Sequence, residues 1–211
     1  MTADRARALA LVPLAPETEA RIAVYVDLLA RWRTVTNLIS EASFTEVWTR
    51  HIADSAQLLA LAPHARRWVD MGSGAGFPGM VIAIQLADVP GARVHCIESD
   101  RRKCAFLSEV ARAVGAPAEI HPARIESIDP QALAPVDAVA ARALAPLPRL
   151  IEFAKVWIAH GAVALFPRGR SAQAQLETLS AAPDLAIDFV ASKLDPEAAI
   201  LRVRSASKAR P

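Results

Sequence analysis

Apolar residues in the first third of the chain recur at helical spacing. Between Glu17 and Leu61, Ile22, Val26 and Leu29 fall on one face, and Val24, Leu28 and Trp32 widen it. "TNLISEAS" breaks the pattern. Ser43 followed by Glu46 reads as a capping box that starts a second helix, and "HIADSAQLLAL" carries the helical pattern on to Pro63. No strand-like alternation precedes Arg67. Residues 1–66 are therefore expected to form a helical extension.

The texture changes at Trp68. "RWVDM" and "ARVHCIES" read as strands, each leading into a helix. The first of these helices, "PGMVIAIQLA", has Pro78 near its first turn, where the missing N–H does no harm. The second has Ser99 or Asp100 as its cap, Gly115 as its stop, and Phe106, Leu107, Val110 and Val114 as its buried stripe. "AEIHP", "VDAVAARAL", a helix over 147–159 and the strand "GAVALFP" follow. A helix near 171–182 and an antiparallel pair, "LAIDFVASKL" and "AAILRVRS", complete the chain. Strand–helix alternation of this kind predicts a doubly wound, Rossmann-like α/β body over 67–211. Its sheet is expected to be mainly parallel, with a C-terminal antiparallel hairpin.

Composition narrows the class. With 211 residues, 53% hydrophobic and 22% charged, the chain is long enough to bury a sizeable core and shows no disorder signature. The N-terminus lacks a long apolar core and no run approaches the ~20 residues of a bilayer span, so a cytoplasmic protein without membrane contact is expected. Cys96 and Cys104 lack C-x-x-C spacing and read as buried free thiols. The five histidines show no i, i+4 ligand spacing, and no metal is expected. Net charge is only +2. However, eight arginines precede residue 68, and Arg202, Arg204, Lys208 and Arg210 crowd the C-terminus. Singly these read as solvated charges. Together they are compatible with a polyanionic partner.

"WVDMGSGAGFPG" places four glycines within eight residues at the end of the first strand. A strand, a glycine-rich turn and a helix bring bare main chain to the carboxyl edge of a sheet, where ligands of open α/β folds bind. A dinucleotide fingerprint, G-x-G-x-x-G, fits only from Gly74, and its third glycine, Gly79, then falls inside the helix. The frame Asp70-x-Gly72-x-Gly74-x-Gly76 instead resembles the first motif of S-adenosylmethionine-dependent methyltransferases. Glu98 ends the second strand 26 positions beyond Gly72, where a carboxylate accepts hydrogen bonds from a ribose. That marker serves adenosylmethionine and NAD equally.

"VDMGSGAGFPGMVIAI", "TNLIS" with "RHIADSAQLL", "ESDRRKCAFLSEVARAVG", "ARIESI" and "VDAVAARALAPLPRLIEFA" together resemble the bacterial 16S ribosomal RNA guanine-N7 methyltransferases, the glucose-inhibited division protein B family. The similarity runs in consistent order from about residue 20 to 170. It implies a class I methyltransferase domain over 67–211, S-adenosylmethionine as cofactor, and 16S ribosomal RNA of the small subunit as substrate, acted on by a monomer. Gly72, Gly74 and Phe77 would contact the cofactor, Glu98 its ribose, and Ile125 and Glu126 its adenine. Arg142 is grouped with these, facing the methionine end or the target base. Asn37, Arg50, His51 and Arg168 are candidate RNA contacts. Relatives commonly carry lysine where this chain has Arg168, and aspartate where it has Glu98.

Guanine N7 carries an in-plane lone pair and no proton, so its methylation needs alignment and not a general base. No catalytic base is assigned. N7 faces the narrow major groove of an RNA helix, so the target is expected to be a splayed-out base. Three alternatives remain open on the sequence: a methyltransferase of a small molecule or protein, an NAD-linked oxidoreductase, and a non-catalytic binding module.

Overall fold

The computed structural model describes residues 2–169 and 184–206. The helix expected near 171–182, and Lys208 and Arg210, lie outside the described residues. Seven strands form one sheet in the order β3-β2-β1-β4-β5-β7-β6. The strands are β1 (Arg67–Met71), β2 (Arg93–Glu98), β3 (Ala118–Pro122), β4 (Ala138–Ala140), β5 (Val163–Arg168), β6 (Leu185–Ala191) and β7 (Ala199–Ser205). Pairing is parallel from β3 through β5, and β7 then runs antiparallel to both β5 and β6. The carboxyl ends of β1, β2 and β4 therefore converge on one edge, where the chain order reverses at β1.

The helices are α1 (Ala3–Leu11), α2 (Pro16–Trp32), α3 (Glu41–Phe44), α4 (Asp54–Ala56), α5 (Gly79–Gln85), α6 (Arg101–Val114) and α7 (Leu147–Ala159). The ends of α6 follow ordinary capping chemistry. The Asp100 carboxylate accepts the N–H groups of Arg102 and Lys103 to start α6, and Gly115 at φ 63° stops it. All four residues of the expected α6 stripe are buried.

α5 and α6 cover one face of the sheet together with α1 and α2. Ile22, Tyr25, Leu28 and Leu29 of α2 share a single core with Trp68, Met80, Phe106 and Leu107. α7 covers the other face around Val69, Val139, Leu150 and Trp157. Among the described residues no helix is long and apolar enough to cross a membrane. Cys96 and Cys104 are free and buried.

Two local expectations need correction. Val24 is 43% exposed, because Tyr25 occupies the position on the α2 core face that the apolar reading gave to its neighbour. The helix cap at residue 40 is Ser40, whose Oγ accepts the Ser43 N–H at 3.2 Å; the Ser43 hydroxyl is instead buried against His51. The turn that follows, Trp48–Ala53, is π-helical. Asp4 of α1 caps it, accepting the N–H groups of Trp48 (2.8 Å) and Thr49 (3.2 Å).

Candidate active site

The glycine stretch leaves β1 with Gly72, Gly74 and Gly76 at φ 71°, 56° and 98°, a left-handed region that a side chain strains to adopt. Their surroundings differ. A Cβ at Gly76 would stand 2.8 Å from both Met80 Cβ and the Tyr25 hydroxyl, so this glycine is demanded by the core. At Gly74 the nearest atom would be 3.9 Å away, which leaves its face open. At Gly72 it would meet Leu144 Cδ1 at 2.6 Å, the end of a movable side chain. Gly79, the first residue of α5, is pressed against Asp70 and donates its N–H to Asp70 Oδ2 at 3.0 Å. The third glycine of the dinucleotide frame therefore serves a buried aspartate.

Asp70 is 1% exposed and its Oδ1 has no hydrogen-bond partner; burial pushes its carboxyl up to about 6. From α2, the Tyr25 hydroxyl donates to the Ala75 carbonyl and pins the loop from beneath. Sequence reading gave this tyrosine no role.

A cavity of about 280 Å³ opens beside the loop, lined by Gly72, Ile97, Glu98, Ile125, Glu126 and Leu144, among others. Glu98 stands at the end of β2. Its Oε2 accepts the Gly74 N–H and its Oε1 the Asp100 N–H, both at 2.8 Å, so the carboxylate ties β2 to the loop and keeps further lone pairs for a ligand. Arg149 stacks on Phe153 with its guanidinium 4.4 Å from the ring centre and reaches Glu126 at 3.5 Å. Of the residues expected around the cofactor, Gly74 is not among the lining residues, whereas Gly72, Glu98, Ile125 and Glu126 line this cavity.

Phe77 does not. It is 4% exposed, stacked on His51 at 4.7 Å and tilted against Tyr25 at 5.5 Å. Its ring fills the gap between the loop and the N-terminal helices. Arg142 also lies away from the first cavity, with its guanidinium 5.1 Å from the centre of the Phe77 ring.

A second cavity, of about 650 Å³, lies across the N-terminal segment and the C-terminal strands. Arg7, Arg50, Arg142 and Arg168 line it, with Glu46, Asp54 and Asp195. Arg142 organises its floor: Nη2 donates to His51 Nδ1 at 2.7 Å, and Nη1 donates to the Arg50 carbonyl at 3.2 Å and approaches Asp54 Oδ2 at 3.5 Å. An arginine only donates, so His51 carries its proton on Nε2 and donates to Ser43 Oγ. Burial first, then the cations of Arg142 and Arg50, hold the His51 imidazole down to about 3. His51 is thus neutral.

Burial raises the Asp54 carboxyl, and Arg142 offsets part of that rise. Gln57 fixes the outer wall by donating to Asp54 Oδ1 (3.0 Å) and accepting the Lys193 N–H (3.0 Å). Arg168 donates to the Ala145 carbonyl at 3.1 Å. Arg50, His51 and Arg168 thus meet at this cavity, whereas Asn37 is exposed and lines neither. Much of the remaining basic charge is paired. Arg5 meets Glu19, Arg21 meets Asp88, and Arg202 and Arg204 both meet Asp188.

One short segment separates the cavities. After β4, Arg142 and Ala143 face the second, whereas Leu144 and Ala145 face the first. Ala143 sits at φ 53°, an uncommon conformation for a residue with a Cβ, and it turns the segment so that both walls are served.

A model of the family described as "rRNA small subunit methyltransferase G" matches residues 18–193. A protein named Ribosomal RNA small subunit methyltransferase G from Nitrobacter hamburgensis is 52% identical over 82% of this chain and 67% of its own length. Its namesake from Methylorubrum populi is 45% identical over 98% of each chain. Among solved structures, the O-methyltransferase TomG from Streptomyces achromogenes, in complex with S-adenosylmethionine, aligns with a TM-score of 0.61 at 16% identity, covering 97% of this chain and all of that one. Cofactor-bound Rv0187 aligns with a TM-score of 0.62 at 18% identity over 96% of this chain and 95% of that one. These two likenesses show a shared fold. The family match and the identities to its members together decide the family: this chain belongs to the rRNA small subunit methyltransferase G family.

Proposed function

We propose that this protein transfers the methyl group of S-adenosylmethionine to N7 of a guanine in 16S ribosomal RNA. The observation that carries the reading is the shared wall at Arg142–Ala145. It separates a small cavity lined by Gly72 and Glu98 from a larger one lined by four arginines. A nucleoside cofactor fits the first. At about 280 Å³ the cavity sits near the lower end of small-molecule sites, and Leu144, the side chain that narrows it over Gly72, is free to swing.

In this reading Glu98 receives the ribose hydroxyls on lone pairs that Gly74 and Asp100 leave open. Ile97, Ile125 and Phe153 offer the apolar slot for the adenine, and Gly72 and Gly74 give the room that a Cβ would take. The cofactor supplies a methyl group already activated on a sulfonium. The protein's task is to hold a base nitrogen in line with it and keep water out. N7 needs no deprotonation, in keeping with a neutral, hydrogen-bonded His51 at the wall. The carboxylates of the second cavity, Asp54 foremost, are acceptors for the N1–H and amino edge of a guanine, and its arginines meet backbone phosphates. We further propose that residues 1–66 act as the RNA-facing wall of a methyltransferase domain spanning 67–211. One chain lines both cavities, which supports a monomeric enzyme.

The test is to incubate the protein with tritiated S-adenosylmethionine and small ribosomal subunits from a strain lacking the modification, then map the labelled nucleotide. Label at a single guanine N7 is expected. Label confined to protein or small molecules would overturn the assignment.

A further inference from the structure

Outside both cavities, β2 and β3 carry a group of side chains that the proposed reaction does not use. His95 of β2 pairs in parallel register with Glu119 of β3, and His121 stands two residues further along the same strand. Side chains two apart on a strand, and directly opposite across a parallel pair, share a face of the sheet. The three therefore converge. His95 Nδ1 lies 3.0 Å from His121 Nε2 and 3.7 Å from Glu119 Oε2, and His121 Nε2 lies 3.8 Å from Glu119 Oε1. Among the described residues this is the one group of three or more such side chains with one ligand atom each within 4.8 Å of the others.

We infer that His95, Glu119 and His121 form a binding site for a divalent transition-metal ion of the zinc class. Two imidazoles and a carboxylate are a donor set that zinc accepts, with the fourth tetrahedral position left to water. Zinc–nitrogen and zinc–oxygen bonds of about 2.0–2.1 Å put tetrahedral ligand atoms roughly 3.4 Å apart. The ring nitrogens stand 3.0 Å apart, and each meets a different oxygen of the Glu119 carboxylate, at 3.7 and 3.8 Å. With one atom per residue all three lie within 4.8 Å of one another, so rotation of the exposed Glu119 side chain would draw a single oxygen toward both rings. Both facing ring nitrogens must then present lone pairs, and the proton they share passes to the outer nitrogen of its own ring.

The setting also favours a held ligand set. His95 is 5% exposed and so fixed, whereas Glu119 is open to water and gives an ion a way in. The site lies three residues before Glu98 on β2, about 10 Å along the strand, so it is separate from the glycine loop. One group opposes it: Arg93 Nη1 stands 3.4 Å from Glu119 Oε2 and competes for that oxygen. Helix spacing does not reveal this trio, because its members come from two strands.

The ion would tie β3, the edge strand, to β2. The test uses the full-length protein without a polyhistidine tag, dialysed against a chelator. Zinc is titrated in competition with a chromophoric chelator, and cobalt(II) is titrated while visible absorption is read. One equivalent of zinc and the absorption of tetrahedral cobalt are expected. Both should weaken by at least about tenfold in His121→Ala and in Glu119→Gln, substitutions at partly exposed positions that leave the core intact. Arg93→Gln should tighten binding severalfold. Zinc should raise the melting temperature of the parent protein and of neither weakened variant. Absence of stoichiometric binding, or binding that both substitutions leave unchanged, would overturn the assignment.

Discussion

Replacing His51 with glutamine should change how stability depends on pH. In the folded protein the imidazole titrates at about 3, held down by burial and by the Arg142 and Arg50 cations, against an ordinary value of 6.5. A group whose folded value is depressed takes up its proton first in the unfolded chain. His51 therefore contributes stability that is fully present above pH 6.5 and is lost as pH falls toward 3. At pH 7.5 almost none of the unfolded imidazole is charged. At pH 4.5 nearly all of it is, two units below its unfolded value, and at 1.36 kcal/mol per unit the loss is about 2–3 kcal/mol.

Urea unfolding at pH 7.5, 6.5, 5.5 and 4.5 measures this for the parent and for His51→Gln. The substitution itself costs stability at every pH, through lost stacking on Phe77 and lost bonds to Arg142 and Ser43. Subtracting the two curves cancels the other titrating groups and leaves that cost as a constant offset beneath the His51 contribution. The gap should narrow by about 2–3 kcal/mol between pH 7.5 and pH 4.5. Parallel curves would refute the buried, neutral imidazole.

Other predictions follow from the glycine loop and the second cavity. Gly72→Val should weaken cofactor binding at least tenfold by calorimetry, because φ 71° strains any branched residue and its side chain would take the room that Leu144 must leave for the cofactor; unchanged affinity removes Gly72 from the site. Gly76→Ala should lower unfolding stability by about 2–4 kcal/mol, since its Cβ would press on Met80 and on the Tyr25 hydroxyl in a closed core. Arg168→Ala should raise KM for small subunits and reduce the slope of log KM against log salt by about one, while Arg168→Lys restores the slope. A salt slope that does not move with the charge at 168 would place the RNA backbone elsewhere.

Much of the fold was legible because its signals are local. Asp100 and Gly115 mark the two ends of α6 by their own backbone chemistry, and the helix expected over 147–159 is α7. The strand Arg67–Met71 and its glycine turn are equally local, and so was one wall of the first cavity, since Glu98 ends the strand beside that turn. The second cavity was less legible because partners far apart in the chain build it. Arg142 meets His51 across 91 positions, and Lys193 meets Gln57 across 136. No periodicity reports such pairs. Phe77 shows the same limit: its place in the loop motif points to the ligand, while the packing of α2 and the π-helical turn around it turns its ring into the core.

Asp70 should tilt the pH dependence the other way. Burial raises its carboxyl to about 6 from an ordinary 3.8, so the folded state takes up this proton before the unfolded chain does. Its contribution falls as pH rises from 3.8 to 6 and stays low above that. Between pH 4.5 and pH 7.5 this amounts to about 2 kcal/mol lost. Over the same interval His51 gains about 2–3 kcal/mol, so the two groups largely offset each other in the parent protein. A flat parent curve would therefore hide two steep ones. Asp70→Asn removes the opposing group and keeps an oxygen for the Gly79 N–H, so its stability should climb more steeply with pH than the parent's. His51→Gln should climb less steeply, or fall. If both variants tilt in the same direction, the charge of one of these groups in the folded state has been assigned wrongly.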